Sequence, residues 1–159
     1  MGISDRKIIG LDDDPTGVQT GNGISVYTDW TEESIEEGFA EPRSMFYILT
    51  NSRAFSTERV RTEYKKIAER ISAVAKRLGR KFLVISRSDS TLRGHYPIET
   101  EVLRETFELN GQKLDGEILM PFFKEGGRLT IGDVHYARRR SATAPHSIER
   151  GLKRCSTRL

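Results

Sequence analysis

Three aspartates, Asp12-Asp13-Asp14, stand at the end of a short apolar run, Lys7–Leu11, and are followed by Pro15, Thr16 and Gly17. Pro15 and Gly17 force a loop there, so the carboxylates fall where a strand gives way to a turn. The same arrangement recurs. Met45–Thr50 (MFYILT) runs into Asn51-Ser52-Arg53. Lys81–Ser86 (KFLVIS) runs into Arg87-Ser88-Asp89-Ser90-Thr91-Leu92-Arg93-Gly94-His95. Glu117–Pro121 (EILMP) leads to Lys124-Glu125-Gly126-Gly127-Arg128. Carboxylates accept hydrogen bonds from hydroxyls, and one can take a proton during phosphoryl transfer. Arginines pair with a carboxylate or phosphate, often through two parallel bonds. Each charged hydrogen bond contributes roughly 1.5–3 kcal/mol. Together these groups suit a small polyhydroxylated acid. Taken singly they have plainer roles: Asp12 can cap a loop, Ser88, Ser90 and Thr91 can serve turns or helix caps, and any one arginine can sit in a surface ion pair. Convergence is what argues for a site.

Other chemistries lack their residues. There is no GxxxxGK[ST] phosphate loop and no GxGxxG, since Gly21-Asn22-Gly23 breaks off too soon. His95, His135 and His146 show no metal-ligand spacing, and Cys155 stands alone. No nucleophile-elbow motif supports a Ser-His-Asp triad.

The elements that would carry these loops can be read from the pattern. Ile24–Thr28 alternates like a strand, and the acidic stretch Thr31–Phe39 reads as a short helix. Ser56 or Thr57 caps a long helix. Its apolar face is Val60, Tyr64, Ile67, Ala68, Ile71, Val74, Ala75 and Leu78, a period of 3.6 held to the C-terminal Gly79. Pro97 opens a second helix with Ile98, Val102, Leu103 and Phe107 inward. Asn110-Gly111 and Asp115-Gly116 are turn signals. Glu117–Met120 reads as a further strand, and Leu129–Ile131 with Val134–Tyr136 as a hairpin across Gly132-Asp133. Strands alternating with helices predict an α/β fold, a mainly parallel sheet with helices packed on it, and sites beyond the carboxyl ends of its strands.

The 159 residues suit one domain able to bury a core. With 36% hydrophobic and 31% charged residues, no run approaches the roughly 20 apolar residues of a spanning helix. The formal charge of +3 is unevenly placed. Ala137–Leu159 holds seven basic residues and one acid, a net +6, whereas residues 1–136 hold 19 basic and 22 acidic, a net −3. The expected organisation is therefore a domain over residues 1–136 and a basic, loosely ordered tail over 137–159. Such a tail binds phosphates only non-specifically, so no specific nucleic-acid partner is expected, and no membrane partner. The absence of an apolar leader in Met1–Lys7 and the single cysteine suggest a reducing, cytoplasmic setting.

Four blocks together resemble the N-terminal, substrate-binding domain of the four-carbon acid sugar kinase family. They are Leu11-Asp12-Asp13-Asp14-Pro15-Thr16-Gly17, Thr50-Asn51-Ser52-Arg53, the Ser86–His95 string, and Pro121–Arg128 followed by Asp133-Val134-His135-Tyr136. The Asp-Ser-Thr-Leu-Arg-Gly portion is the most specific. The resemblance implies ATP-dependent phosphorylation of sugar acids of the threonate or erythronate type. ATP and Mg²⁺ would be bound mainly by a separate C-terminal domain. It implies Asp13 and Asp14 as catalytic groups. Asp12, Ser52, Arg53, Arg87, Asp89, Ser90, Arg93, Gly127 and Arg128 would bind the substrate.

After Tyr136 the family pattern stops. The expectation is a truncated relative that binds a sugar acid and has little kinase activity alone, with self-association through an exposed former domain interface. A rival reading is a phosphatase resembling the haloacid dehalogenase superfamily, with Asp12 attacking phosphorus and Asp14 as acid/base. There Pro15 and Gly17 crowd the loop and the Ser-Thr-Leu-Arg-Gly block stays unexplained. A non-enzymatic, anion-binding remnant is the third reading.

Overall fold

The computed structural model describes residues 6–16, 21–88, 94–131, 134–138 and 148–154. Two compact units divide the chain, one reaching to Ser88 and resuming over Gly94–Asp115, the other built mainly from Gly116 onward.

The first unit is the expected α/β fold. It contains β1 (Arg6–Asp12), β2 (Val26–Tyr27), α1 (Glu32–Ala40), β3 (Met45–Leu49), α2 (Thr57–Leu78), β4 (Lys81–Arg87) and α3 (Ile98–Leu109). The four strands lie in the order β2-β3-β1-β4 and all pairs are parallel. The register sets Asp12, the last residue of β1, beside Leu49 on one flank and Arg87 on the other. Three carboxyl ends thus share one edge, with the aspartate-bearing strand in the centre.

Helix ends obey local chemistry. Thr31 caps α1 by accepting from the Ser34 N–H, and Ser56 caps α2 by accepting from the Arg59 N–H. Gly79 closes α2 at φ 61°, a left-handed turn that favours glycine. The apolar stripe of α2 is buried as expected, except that Leu78 in the last turn is exposed.

One core results. Ile9, Leu11, Phe46, Ile48 and Phe82 from the strands meet Ile35 and Phe39 of α1, the α2 stripe, and Val102, Leu103 and Phe107 of α3. The connections β2–α1–β3 and β3–α2–β4 advance across the sheet in the same direction. Crossovers of a common hand then place both helices on the same face. Alternate residues point the other way. On that side Ile8, Met45 and Tyr47 are half-buried, and Leu83 and Ile85 of the edge strand are exposed. Gly10 lies under the Tyr47 ring, which would sit 2.5 Å from an added Cβ.

The second unit holds an antiparallel sheet of β5 (Arg128–Ile131), β6 (Val134–Arg138) and β7 (Ile148–Arg154), in that order. The β5–β6 pairing places the expected hairpin. β7 lies within the stretch read as a loosely ordered tail; residues 139–147 and 155–159 lie outside the described residues. Glu117–Met120, expected as a strand, has no regular structure, and Ile118 is 92% exposed. A four-residue apolar run bounded by Pro121 makes a strand only if a neighbour pairs with it, and none does among the described residues. The expected strand at Ile24–Thr28 is likewise shortened to two residues.

Candidate functional site

The edge of the sheet brings together Asp12, Asp13, Asp14, Ser52, Arg53 and Arg87. The Asp13 N–H donates to the Arg87 carbonyl at 3.3 Å, and the Arg53 N–H donates to the Asp13 carbonyl at 3.4 Å. The main chains of the three loops are therefore tied to one another. Thr50 strengthens the join: its N–H and its hydroxyl both reach the Asp12 carbonyl, at 2.8 and 2.9 Å.

Arg53 is the centre of the polar cluster. Its Nε and Nη2 donate to Asp13 Oδ2 and Oδ1 at 3.1 and 3.0 Å, a bidentate pair, and Nη1 donates to Asp14 Oδ2 at 2.7 Å. Asn51 makes this aim possible. It takes φ 50°, a left-handed conformation that asparagine tolerates, and turns the chain into the 3-10 turn Ser52–Ala54. The two acids differ in access. Asp13 is 2% exposed, whereas the Asp14 side chain is 23% exposed and that of Arg53 30%. Asp14 is also held by Thr16, whose N–H (2.7 Å) and hydroxyl both donate to Oδ1.

Asp12 is buried at the end of β1. Its Oδ2 has no hydrogen-bond partner and lies 3.7 Å from Arg87 Nη1. Burial raises its carboxyl pKa above the ordinary value, and the Arg87 guanidinium partly opposes that rise. Arg87 itself rests over the Tyr47 ring at 5.6 Å and donates to the Tyr47 hydroxyl at 3.4 Å.

Behind these residues sits a buried hydroxyl chain. Ser52 Oγ is 3.0 Å from the Tyr64 hydroxyl, which donates to Glu99 Oε1 at 3.3 Å. Thr50 joins the chain at Ser52 Oγ, 3.0 Å away. Burial is the main force raising the Glu99 pKa above its usual value. Sequence reasoning assigned Tyr64 only to the apolar stripe and missed Glu99. The available signal was its spacing from Val102, Leu103 and Phe107, which places an acid on the inward stripe of α3.

The remaining candidates stand elsewhere. Gly127 and Arg128 belong to the second unit. Gly127, at φ 68°, lies in the turn before β5, and Arg128 opens that strand with its guanidinium 5.9 Å from the Phe123 ring. Asp89, Ser90 and Arg93 lie outside the described residues. A concavity of about 390 Å³ at the opposite edge of the sheet, lined by Arg6, Arg80, Lys81 and Lys113 among others, contains none of the candidates.

A parallel sheet whose central strand ends in carboxylates, clamped by an arginine from the neighbouring loop, defines a domain built to hold a polar ligand at its carboxyl edge. Residues 8–149 match the family of sugar-binding N-terminal domains. The chain belongs to that family, the N-terminal domain of the four-carbon acid sugar kinases. No curated protein and no solved structure matches it.

Proposed function

We propose that the carboxyl edge of the first unit binds a four-carbon sugar acid of the threonate or erythronate type and supplies the acceptor site of an ATP-dependent kinase. The observation that carries this reading is the Arg53 clamp: a partly exposed guanidinium fixed by Asp13 and Asp14 at the carboxyl edge of a sugar-binding domain. Arg53 and Arg87 meet the substrate carboxylate, and Asp14, the more accessible acid, accepts a substrate hydroxyl and its proton. Asp13 is buried and holds Arg53. Asp89, Ser90, Arg93, Gly127 and Arg128 complete the proposed binding set.

Nucleotide and Mg²⁺ are assigned to a separate domain, because the sequence has no phosphate loop. Among the described residues no cluster of three or more His, Cys, Asp or Glu is arranged to hold a metal, and Asp13 and Asp14 are already neutralised by Arg53. No step through the metal is therefore assigned to this chain. Little ATP turnover by the chain alone is the consequence. The phosphatase alternative asks Asp12 to attack phosphorus, yet its side chain is 3% exposed. No described helix is long and apolar enough to cross a membrane. A cytoplasmic setting and self-association through the exposed Leu83 and Ile85 belong to the same proposal.

Isothermal titration with threonate and erythronate, with and without ATP and Mg²⁺, tests it. Saturable binding of a sugar acid without nucleotide is the expected result. Robust ATP turnover by the chain alone, or binding of neither acid, overturns the reading.

A further inference from the structure

Buried carboxyl groups without a cation destabilise a fold, and plain packing would be served as well by glutamine or leucine. Glu99 is such a group. It is 1% exposed, it sits in the first turn of α3, and its Oε2 has no hydrogen-bond partner. The groups that face it electrostatically are Ser88, Asp13, His95 and Tyr64. Ser88 Oγ and His95 Nε2 are themselves buried without partners, so nothing among the described residues fully satisfies Glu99. An under-satisfied buried polar group calls for a reason beyond packing.

Its one hydrogen bond supplies that reason. Tyr64 donates to Glu99 Oε1, so the Tyr64 oxygen is left to accept, and the Ser52 hydroxyl 3.0 Å away donates to it. Ser52 Oγ then accepts from Thr50, whose hydroxyl also lies 2.9 Å from the Asp12 carbonyl. A terminal acceptor with no proton to give fixes the direction of every hydroxyl in the series. The far end is the reactive edge: Ser52 is the first residue of the turn that carries Arg53, and the Arg53 N–H bonds the Asp13 carbonyl.

We propose that Glu99, acting through Tyr64 and Ser52, is a positioning residue that holds Arg53 in the orientation that receives the sugar acid. For its ligand the inference rests on the function proposed above. For its geometry it does not. Neither Glu99 nor Tyr64 touches the substrate.

The test compares Tyr64→Phe, which deletes only the hydroxyl, with Glu99→Leu, which deletes the terminal acceptor, and Glu99→Gln, which keeps it. Two quantities are read on the full chain well below its melting temperature: the Kd for threonate by titration, and the exchange rate of the Arg53 Nε–H by NMR without ligand. The expected result is that Tyr64→Phe and Glu99→Leu weaken threonate binding by about tenfold, near 1.4 kcal/mol. They also speed Arg53 Nε–H exchange, whereas Glu99→Gln stays within about threefold of wild type in both, because its amide oxygen still accepts. If Tyr64→Phe lowers the melting temperature but leaves both quantities at wild-type values, the network is only structural and the proposal is overturned. Glu99→Leu need not fold for that conclusion. If wild type binds no sugar acid, the functional reading falls by itself, and unchanged or faster Arg53 exchange in Tyr64→Phe still decides the positioning role.

Discussion

Replacing Arg53 by methionine keeps most of the aliphatic stem and removes the guanidinium. Asp13, 2% exposed, is then left as a buried carboxylate that has lost both bonds of its bidentate pair. Removing one partner of a fully buried pair costs about 3–5 kcal/mol. The Arg53 side chain is 30% exposed, so water re-enters and recovers part of that loss. The expected penalty is about 2–3 kcal/mol, a fall of roughly 4–12 °C in melting temperature for a chain of this size. Asp13→Asn alone is milder, near 1 kcal/mol, because Asp14 still holds the guanidinium. The double variant Arg53→Met/Asp13→Asn removes both charges together and should be more stable than Arg53→Met by at least about 1 kcal/mol. Urea denaturation measures all four chains, with an unchanged m-value as the sign that only stability moved. A loss below about 1 kcal/mol in Arg53→Met, or a double variant no better than the single, refutes the claim that Asp13 depends on this cation.

Glu99 links stability to pH. Its folded pKa lies above the model-compound value of 4.5, so the native state holds its proton more tightly than the unfolded chain. Its contribution is therefore fully present below about that value and is lost as pH rises through the raised folded pKa; Glu99→Gln should gain on wild type across that interval, and parallel denaturation curves over pH would contradict this. Gly38→Ala should destabilise by about 1–3 kcal/mol despite the better helix propensity, because a Cβ there would lie 2.6 Å from the buried Phe46 ring; a neutral result in thermal unfolding would show that the ring can yield. Asn51→Val should cost about 1–2 kcal/mol at φ 50° while Asn51→Gly stays near neutral, and equal losses in the two would remove the backbone explanation. For sugar-acid affinity by titration, Asp14→Asn should weaken binding about tenfold and Asp12→Asn less than threefold, and the reverse order would shift the chemistry to Asp12.

Much of this was legible in the residues. The α2 stripe repeats often enough to fix the helix, its face and its caps. The three apolar runs that became β1, β3 and β4 each end in the polar cluster now found at the edge. Parallel pairing then makes convergence a geometric necessity for those loops. What stayed hidden depended on partners distant in sequence. Ile24–Thr28 alternates well, yet only Val26 and Tyr27 find neighbours on β3. Glu117–Met120 is apolar enough for a strand and pairs with nothing described. Glu99 carries a charge, and a stripe reader discards charges, so the acid most deeply placed behind the site looked like surface. The pairing of Arg53 with Asp13 across 40 residues has no local signature at all.

The bare side of the β3-β1-β4 sheet has a practical consequence at the bench. A plane bearing Ile8, Met45, Leu83 and Ile85 will take up apolar dyes in the intact, cooperatively folded protein. Dye fluorescence is commonly taken as the mark of a loosened, molten state. For this protein a bright signal describes its ordinary architecture, and near-ultraviolet circular dichroism, not staining, is the measure of whether the side chains of a variant remain locked.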